Sequence, residues 1–141
     1  KITYSNGKEW ISHDKGVSYV DCVIEKKTIT LATVHFLPFE KFGVDLNSQE
    51  VKRIKESMQE IIGEFQESFI IQGDFNISSQ GLLRFFFRLP QYTKEIPNSN
   101  PTTPDGYNYD RVLYKGISYI KHRVLNHVMT DHYPIVVEFE C

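Results

Sequence analysis

The sequence predicts an α/β domain, and three observations carry that expectation. Residues 69–72 open on a continuous apolar run, Phe69-Ile70-Ile71, the pattern of a short strand buried on both faces. Residues 28–36, 47–65 and 68–72 read as strand, helix and strand, the βαβ signature of a parallel pair joined by a right-handed crossover. Three more strand patterns close the chain, at residues 107–114, 117–124 and 133–139.

Size and composition agree with this class. The 141 residues make one domain, large enough to bury about two thirds of its unfolded surface. Hydrophobic content of 40% and charged content of 24% are those of an ordinary globular protein. A net charge of −2 argues against a large, salt-driven footprint on nucleic acid, but leaves room for a cleft that takes a phosphate. Cys22 and Cys141 are too few for a disulfide framework. No apolar run approaches a membrane span, and the opening residues lack signal-peptide form, so the expected setting is cytoplasmic.

In chain order, residues 1–16 are polar, with Asn6-Gly7 and Lys15-Gly16 as turn signals. Residues 17–25 and 28–36 are rich in β-branched side chains, and Lys26-Lys27 between them reads as a hairpin tip. On the second strand Ile29, Leu31, Thr33 and His35 share one face, and Thr30, Ala32, Val34 and Phe36 the other. Both faces are apolar enough for a central strand. His35 ends that strand, level with Asp74 if the two strands are parallel neighbours.

Residues 37–46 read as a loop. Asn47 is placed to cap a helix, with Glu50 completing a capping-box pattern. Val51, Ile54, Met58, Ile61, Ile62 and Phe65 then recur at helical spacing, with Gly63 loosening the end. Residues 78–89 are ambiguous: interleaved arginines and aromatics could grip a polynucleotide, but the run is apolar enough to favour a helix packed on the sheet. Residues 98–106 are turn-rich and read as the flexible connector of the chain. In the last strand Ile135, Val137 and Phe139 fall on one side.

The chemistry-bearing residues cluster at strand ends. Gly73 lets the backbone turn freely, and Asp74 and Asn76 follow, where ligands bind in open α/β sheets. An Asx turn closing a core strand would explain that pair alone. His35, Asp110, Asp131 and His132 also lie at or near predicted strand ends. Each taken singly has a plain structural explanation. As a set they match what phosphoester hydrolysis requires: phosphate oxygens neutralised, a water activated in line, and the leaving oxygen stabilised. Carboxylates suit a hard cation, and a histidine polarised by a carboxylate suits the phosphoryl group.

The stretches Thr33-Val34-His35-Phe36, Gly73-Asp74-Phe75-Asn76, Tyr109-Asp110-Arg111-Val112-Leu113 and Thr130-Asp131-His132-Tyr133-Pro134 together resemble successive motifs of the endonuclease/exonuclease/phosphatase superfamily. The resemblance runs from about Val17 to Phe139. It implies the deoxyribonuclease-like architecture, a β-sandwich flanked by helices in four layers. It also implies a metal-dependent phosphoester hydrolase, with in-line water attack and no covalent intermediate. By the same resemblance Asp131 is a Mg²⁺ (or Mn²⁺) ligand, and His132 contacts the scissile phosphate under the orientation of Asp110. Asp74 and Asn76 position the water and the phosphoryl oxygens, and His35 is a second phosphate-contacting histidine.

The chain departs from the family in one respect. An early Asn and a metal-ligating Glu of the family have no counterpart here; the early glutamates are Glu9 and Glu25, and Glu25 sits at a hairpin tip. Residues 1–141 are therefore expected to be the carboxyl-terminal portion of such a domain. Half a sandwich exposes a sheet face, which calls for the amino-terminal segment, a second copy or another chain.

The substrate stays open among phosphodiesters and phosphomonoesters, nucleic acid included. Lys115, Lys121, His122, Arg123 and His127 could approach a nucleic-acid backbone or form a solvated strand and loop. Two other readings compete: a non-catalytic binding or scaffold module of the same fold, and a flavodoxin-like domain. The second is weakened because no strand is followed by a Gly-rich phosphate loop.

Overall fold

A computed structural model of the chain describes residues 2–3, 6–11, 14–126 and 130–141. Two short strands, β1 (Ile2–Thr3) and β2 (Glu9–Trp10), pair antiparallel in the stretch read as polar turns. A hairpin of β3 (Gly16–Ile24) and β4 (Lys27–His35) follows. Its tip is Glu25-Lys26, one residue earlier than expected. Both residues have positive φ (50° and 71°), as a two-residue hairpin turn requires to match strand twist. Glu25 is exposed there, as the sequence suggests.

The next stretch is not all loop, because Phe39–Phe42 forms one helical turn, α1. Helix α2 (Gln49–Gly63) is capped by Ser48, not Asn47. Asp45 accepts from the Asn47 and Ser48 backbone N–H groups, and this turn moves the start along by one residue. The Ser48 hydroxyl accepts from the Val51 N–H, which leaves Glu50 outside a capping box. Val51, Met58 and Ile62 form the buried stripe, as expected.

Strand β5 (Phe69–Asp74) runs parallel to β4, completing the βαβ unit. Helix α3 (Gln80–Phe87) buries Leu83, Phe86 and Phe87, which favours packing over a polynucleotide grip for that segment. The short β6 (Lys94–Glu95) was not legible in the sequence. It pairs with β7 (Asp110–Lys115), and β8 (Ser118–Val124) pairs with β9 (Ile135–Glu140).

The main sheet has the order β3-β4-β5-β7-β6, with β4–β5 its parallel pair among the described strands. Its two faces differ. Ala32, Val34, Phe69, Ile71 and Leu113 meet the helices and a cluster of phenylalanines, including Phe36, Phe39, Phe75, Phe86 and Phe87. On the opposite face Ile70, Val112 and Tyr114 meet Tyr119, Ile135, Val137 and Phe139 of the β8–β9 ribbon. Besides the β1–β2 pair, the described residues form a helix layer, a five-stranded sheet and the two-stranded β8–β9 sheet. The ribbon covers β5 and β7 only in part, so Ile70 is half-buried and Gln72 exposed; β5 is not buried on both faces as expected. Over β3 and β4 the same face is open, with Val20 61% and Leu31 38% exposed.

Among the described residues no helix is long and apolar enough to cross a membrane. Cys22 and Cys141 are free thiols.

Candidate active site

Strand pairing builds the site. The register sets His35 opposite Asp74 across the parallel β4–β5 pair, and Asp74 opposite Asp110 across the antiparallel β5–β7 pair. Three residues far apart in the chain thus form one row at one sheet edge, on the face away from the helices. Gly73 makes the close approach possible. Its φ is +132°, and an added Cβ would lie 2.1 Å from the Val34 carbonyl oxygen, a backbone atom that cannot step aside.

His132 enters the row from the loop before β9. Its Nδ1–H donates to Asp110 Oδ2 at 2.6 Å, and a carboxylate can only accept, so this contact fixes the tautomer. The other ring nitrogen, Nε2, lies 3.9 Å from Asp74 Oδ2, while His35 Nε2 lies 3.5 Å from the same oxygen. Asp74 therefore sits between two imidazoles. Asn76, at φ +51°, turns back on it: its backbone N–H donates to Oδ1 at 2.8 Å and its side-chain amide to Oδ2 at 2.9 Å. That amide also donates to the Phe36 carbonyl at 2.9 Å, tying the carboxylate to the end of β4.

The electrostatics follow from this packing. Burial raises the Asp74 pKa, helped by the Asp110 charge, against the Asn76 hydrogen bond and the two histidines. For His132, burial works against the charged ring, but the hydrogen bond to Asp110 and the charges of Asp110, Asp74 and Asp131 outweigh it. Its pKa is raised. Tyr109, beside Asp110, is also raised, first by burial and then by Glu40, Tyr107, Asp105 and Asp74, so its hydroxyl stays protonated.

These groups line an open cleft of about 940 Å³ that also takes in Asp131, Lys15, Lys41 and Tyr109. Every residue expected at the site lies on it: His35, Asp74, Asn76, Asp110, Asp131 and His132. Sequence reasoning missed Lys15, whose ammonium contacts His35 Nε2 and lies 3.7 Å from Asp14. The signal for it was the hairpin register, which pairs Gly16 with His35 and so brings residue 15 to the cleft.

Two further charged residues were missed because they act on the backbone. The Glu40 carboxylate accepts from the Ser78 and Ser79 N–H groups at 2.8 and 3.0 Å. From the other side the Arg111 guanidinium donates to the Ile77 and Ser78 carbonyls at 3.2 and 3.4 Å, and is paired bidentately with Glu95 at 2.6 and 2.7 Å. Together they clamp the loop that carries Asn76.

The basic cluster does not gather at the site. Lys115 lies at the far end of β7 from Asp110 and pairs with Glu67, and Lys121 pairs with Glu138. His122 hydrogen-bonds the Tyr119 hydroxyl, and His127 lies outside the described residues. The 98–106 stretch is held, not loose: the Tyr107 carbonyl accepts from the Thr102 and Thr103 N–H groups, and Asn98 bonds Asn100 and Asn108.

A divalent cation does not fit the described residues as a self-sufficient ligand set. Among them no three His, Cys, Asp or Glu side chains group so as to hold a metal. Asp110 is engaged with His132, Asp74 with Asn76, and Asp131 stands exposed.

No protein-family model and no curated protein sequence matches the chain. Solved structures do match. D. rerio TDP2 complexed with a single-strand DNA product superimposes with a TM-score of 0.64 at 13% identity, over 100% of this chain and 66% of that one. The inositol polyphosphate 5-phosphatase domain of SpSynaptojanin, with inositol (1,4)-bisphosphate and calcium ion, gives 0.59 at 17% identity over 99% and 52%. The 3′ phosphatase NExo from Neisseria, bound to product DNA hairpin, gives 0.57 at 13% identity over 87% and 65%. These neighbours are members of the endonuclease/exonuclease/phosphatase superfamily, and the chain has their deoxyribonuclease-like fold. It spans about half to two thirds of the length of these structures.

Proposed function

We propose that the cleft is the hydrolytic centre of a phosphoester hydrolase, with residues 1–141 as the carboxyl-terminal portion of its domain. One observation carries this: His132, hydrogen-bonded to Asp110, and His35 flank the single carboxylate of Asp74. Two imidazoles with a carboxylate between them suit a tetrahedral oxyanion and an attacking water. Asp74, with its raised pKa, takes the water proton as the oxygen attacks phosphorus. As water adds, charge rises on the phosphoryl oxygens, which face the imidazolium form of His132 that Asp110 favours and the Lys15 ammonium held on His35 Nε2. As the ester P–O bond breaks, its electron pair goes to the leaving oxygen, which takes the His132 Nε2 proton and departs as the alcohol. Asn76 keeps Asp74 aimed.

The Mg²⁺ or Mn²⁺ implied by the sequence resemblance has one candidate ligand here, Asp131. No step above is routed through it, and its other ligands belong to groups outside the described residues. The same holds for whatever covers the open β3–β4 face. The neighbours' ligands, a DNA product and an inositol bisphosphate, set the range of substrates: phosphodiester or phosphomonoester, with nucleic acid among them. Free thiols are consistent with a reducing, cytoplasmic setting.

The incomplete metal set favours one second reading, a non-catalytic phosphate-binding module of the same fold. Hydrolysis of a plasmid, a single-stranded oligonucleotide, an aryl phosphodiester and an inositol phosphate, under Mg²⁺ and Mn²⁺, separates the two. The hydrolase reading expects turnover that falls about 10²-fold or more in His132→Ala. Phosphate binding without turnover on any substrate would select the binding module.

A further inference from the structure

We infer that the chain carries a second anion site, outside the cleft, where Arg84, Arg88 and Lys94 take one phosphate group. The three side chains line a cavity of about 520 Å³ between helix α3 and strand β6, and it shares no lining residue with the cleft. The site stands whether or not the cleft is hydrolytic.

Local structure gathers these residues. Helix α3 buries Leu83, Phe86 and Phe87 and leaves Arg84 and its C-cap, Arg88, exposed one turn apart. The interleaved pattern of that segment therefore splits by side, with Phe86 and Phe87 inward and both arginines on one cavity. Arg88 has φ 35° and ψ 55°, the left-handed cap conformation that glycine adopts most readily. An arginine kept there carries a backbone cost that no contact of its exposed side chain offsets. The Thr93 N–H and hydroxyl both donate to the Pro90 carbonyl, at 3.2 and 2.7 Å, which holds the turn between Arg88 and Lys94.

Charge points to the ligand. Among the described residues none of the three side chains has a hydrogen-bond or ion-pair partner, unlike Lys115 and Lys121. The helix C-terminus suits the two arginines, but not Lys94, which lies on a strand. Glu95 is the one acid on this cavity, and its carboxylate is taken up by Arg111 and the Gln80 amide. Three uncompensated cations thus share one cavity, and an anion between them would relieve their repulsion. Arginine meets phosphate oxygens with two N–H groups at once, and lysine meets them as a point charge. One dianionic phosphate fits this set; a chain of net charge −2 offers no long basic track for a strand. Leu83 and Leu113, both buried, also line the cavity and suit the carbon skeleton of a phosphomonoester.

The test titrates the 141-residue chain with inorganic phosphate, glycerol phosphate and an oligothymidylate lacking terminal phosphates, at constant ionic strength, and follows NMR signals. Saturable shifts are expected at the Arg84 and Arg88 Nε–H groups and the Lys94 amide with the first two probes. Arg84→Gln should weaken that binding about 10-fold or more, the loss of a charge-assisted hydrogen bond. Arg84→Lys, which keeps the charge without the fork, should weaken it less, and Lys94→Gln should weaken it from the other element. Tighter binding of glycerol phosphate identifies an organic phosphomonoester as the occupant, and equal affinity identifies the free ion. Absence of shifts at these three residues overturns the site, whether or not His132 responds in the cleft. Shifts that chloride reproduces, an Arg84→Gln affinity equal to that of the parent, or tighter binding of the oligothymidylate overturn it as well. A response of His132 alone leaves the phosphate reading of the cleft standing without the second site.

Discussion

At the scale of single residues, the site turns on who faces His132. Asp110 holds Nδ1, Asp74 lies off Nε2 with His35 beyond it, and Asp131 adds its charge from the next position. The raised pKa means the fold favours the imidazolium. That contribution to stability is fully present below about pH 6.5, the unperturbed value, and is lost as pH rises through the raised folded value. The Asp74 pKa is raised too, first by burial and then by the Asp110 charge. Asp110→Asn keeps an acceptor for Nδ1–H and removes the charge. In that variant the His132 pKa should fall, and the loss of stability above pH 6.5 should flatten. An NMR titration and denaturant unfolding at several pH values check both; an unmoved His132 pKa would sink the pair. These residues were legible because their motifs are short and ordered along the chain. Lys15 was not, since its role depends on a register that only strand pairing defines.

At the scale of elements, the two charged clamps set the loop from Asn76 to Ser79. Arg111 is 6% exposed, and its partner Glu95 comes from β6, a strand too short to leave a periodic signal. A pair formed between β6 and β7 cannot be inferred from either segment alone, which is why the sequence concealed it. Arg111→Met strands the Glu95 carboxylate and frees two carbonyls. Full burial of both partners would make this cost about 3–5 kcal/mol. Because Glu95 keeps some contact with water, about 2–3 kcal/mol is expected from denaturant melts. Glu40→Gln acts on the other side of the loop and retains one acceptor, so its effect on unfolding should be smaller, under about 1.5 kcal/mol. The same logic explains the helix start. Asn47 and Ser48 are both good caps by residue type, and the Asp45 turn decided between them.

At the scale of the molecule, the α/β class and the βαβ unit were legible because apolar periodicity reports burial directly. The uneven second face was not. Alternation records that a side chain leaves solvent, not which partner covers it, and the ribbon of β8 and β9 reaches β5 and β7 but leaves Val20 and Leu31 exposed. Val20→Thr with Leu31→Thr should therefore cost little stability, under about 1 kcal/mol. The pair should lower any concentration-dependent self-association seen by light scattering. A large loss of stability with no change in scattering would mean that the face is already covered.

The row His35, Asp74 and Asp110 also has a kinetic consequence. Its members are joined by strand pairings between distant segments, and such contacts form slowly because long loops must close first. A helix can form early without them; the row cannot. The short contact from His132 to Asp110 is then a clock on refolding, and its return marks the moment the sheet has closed.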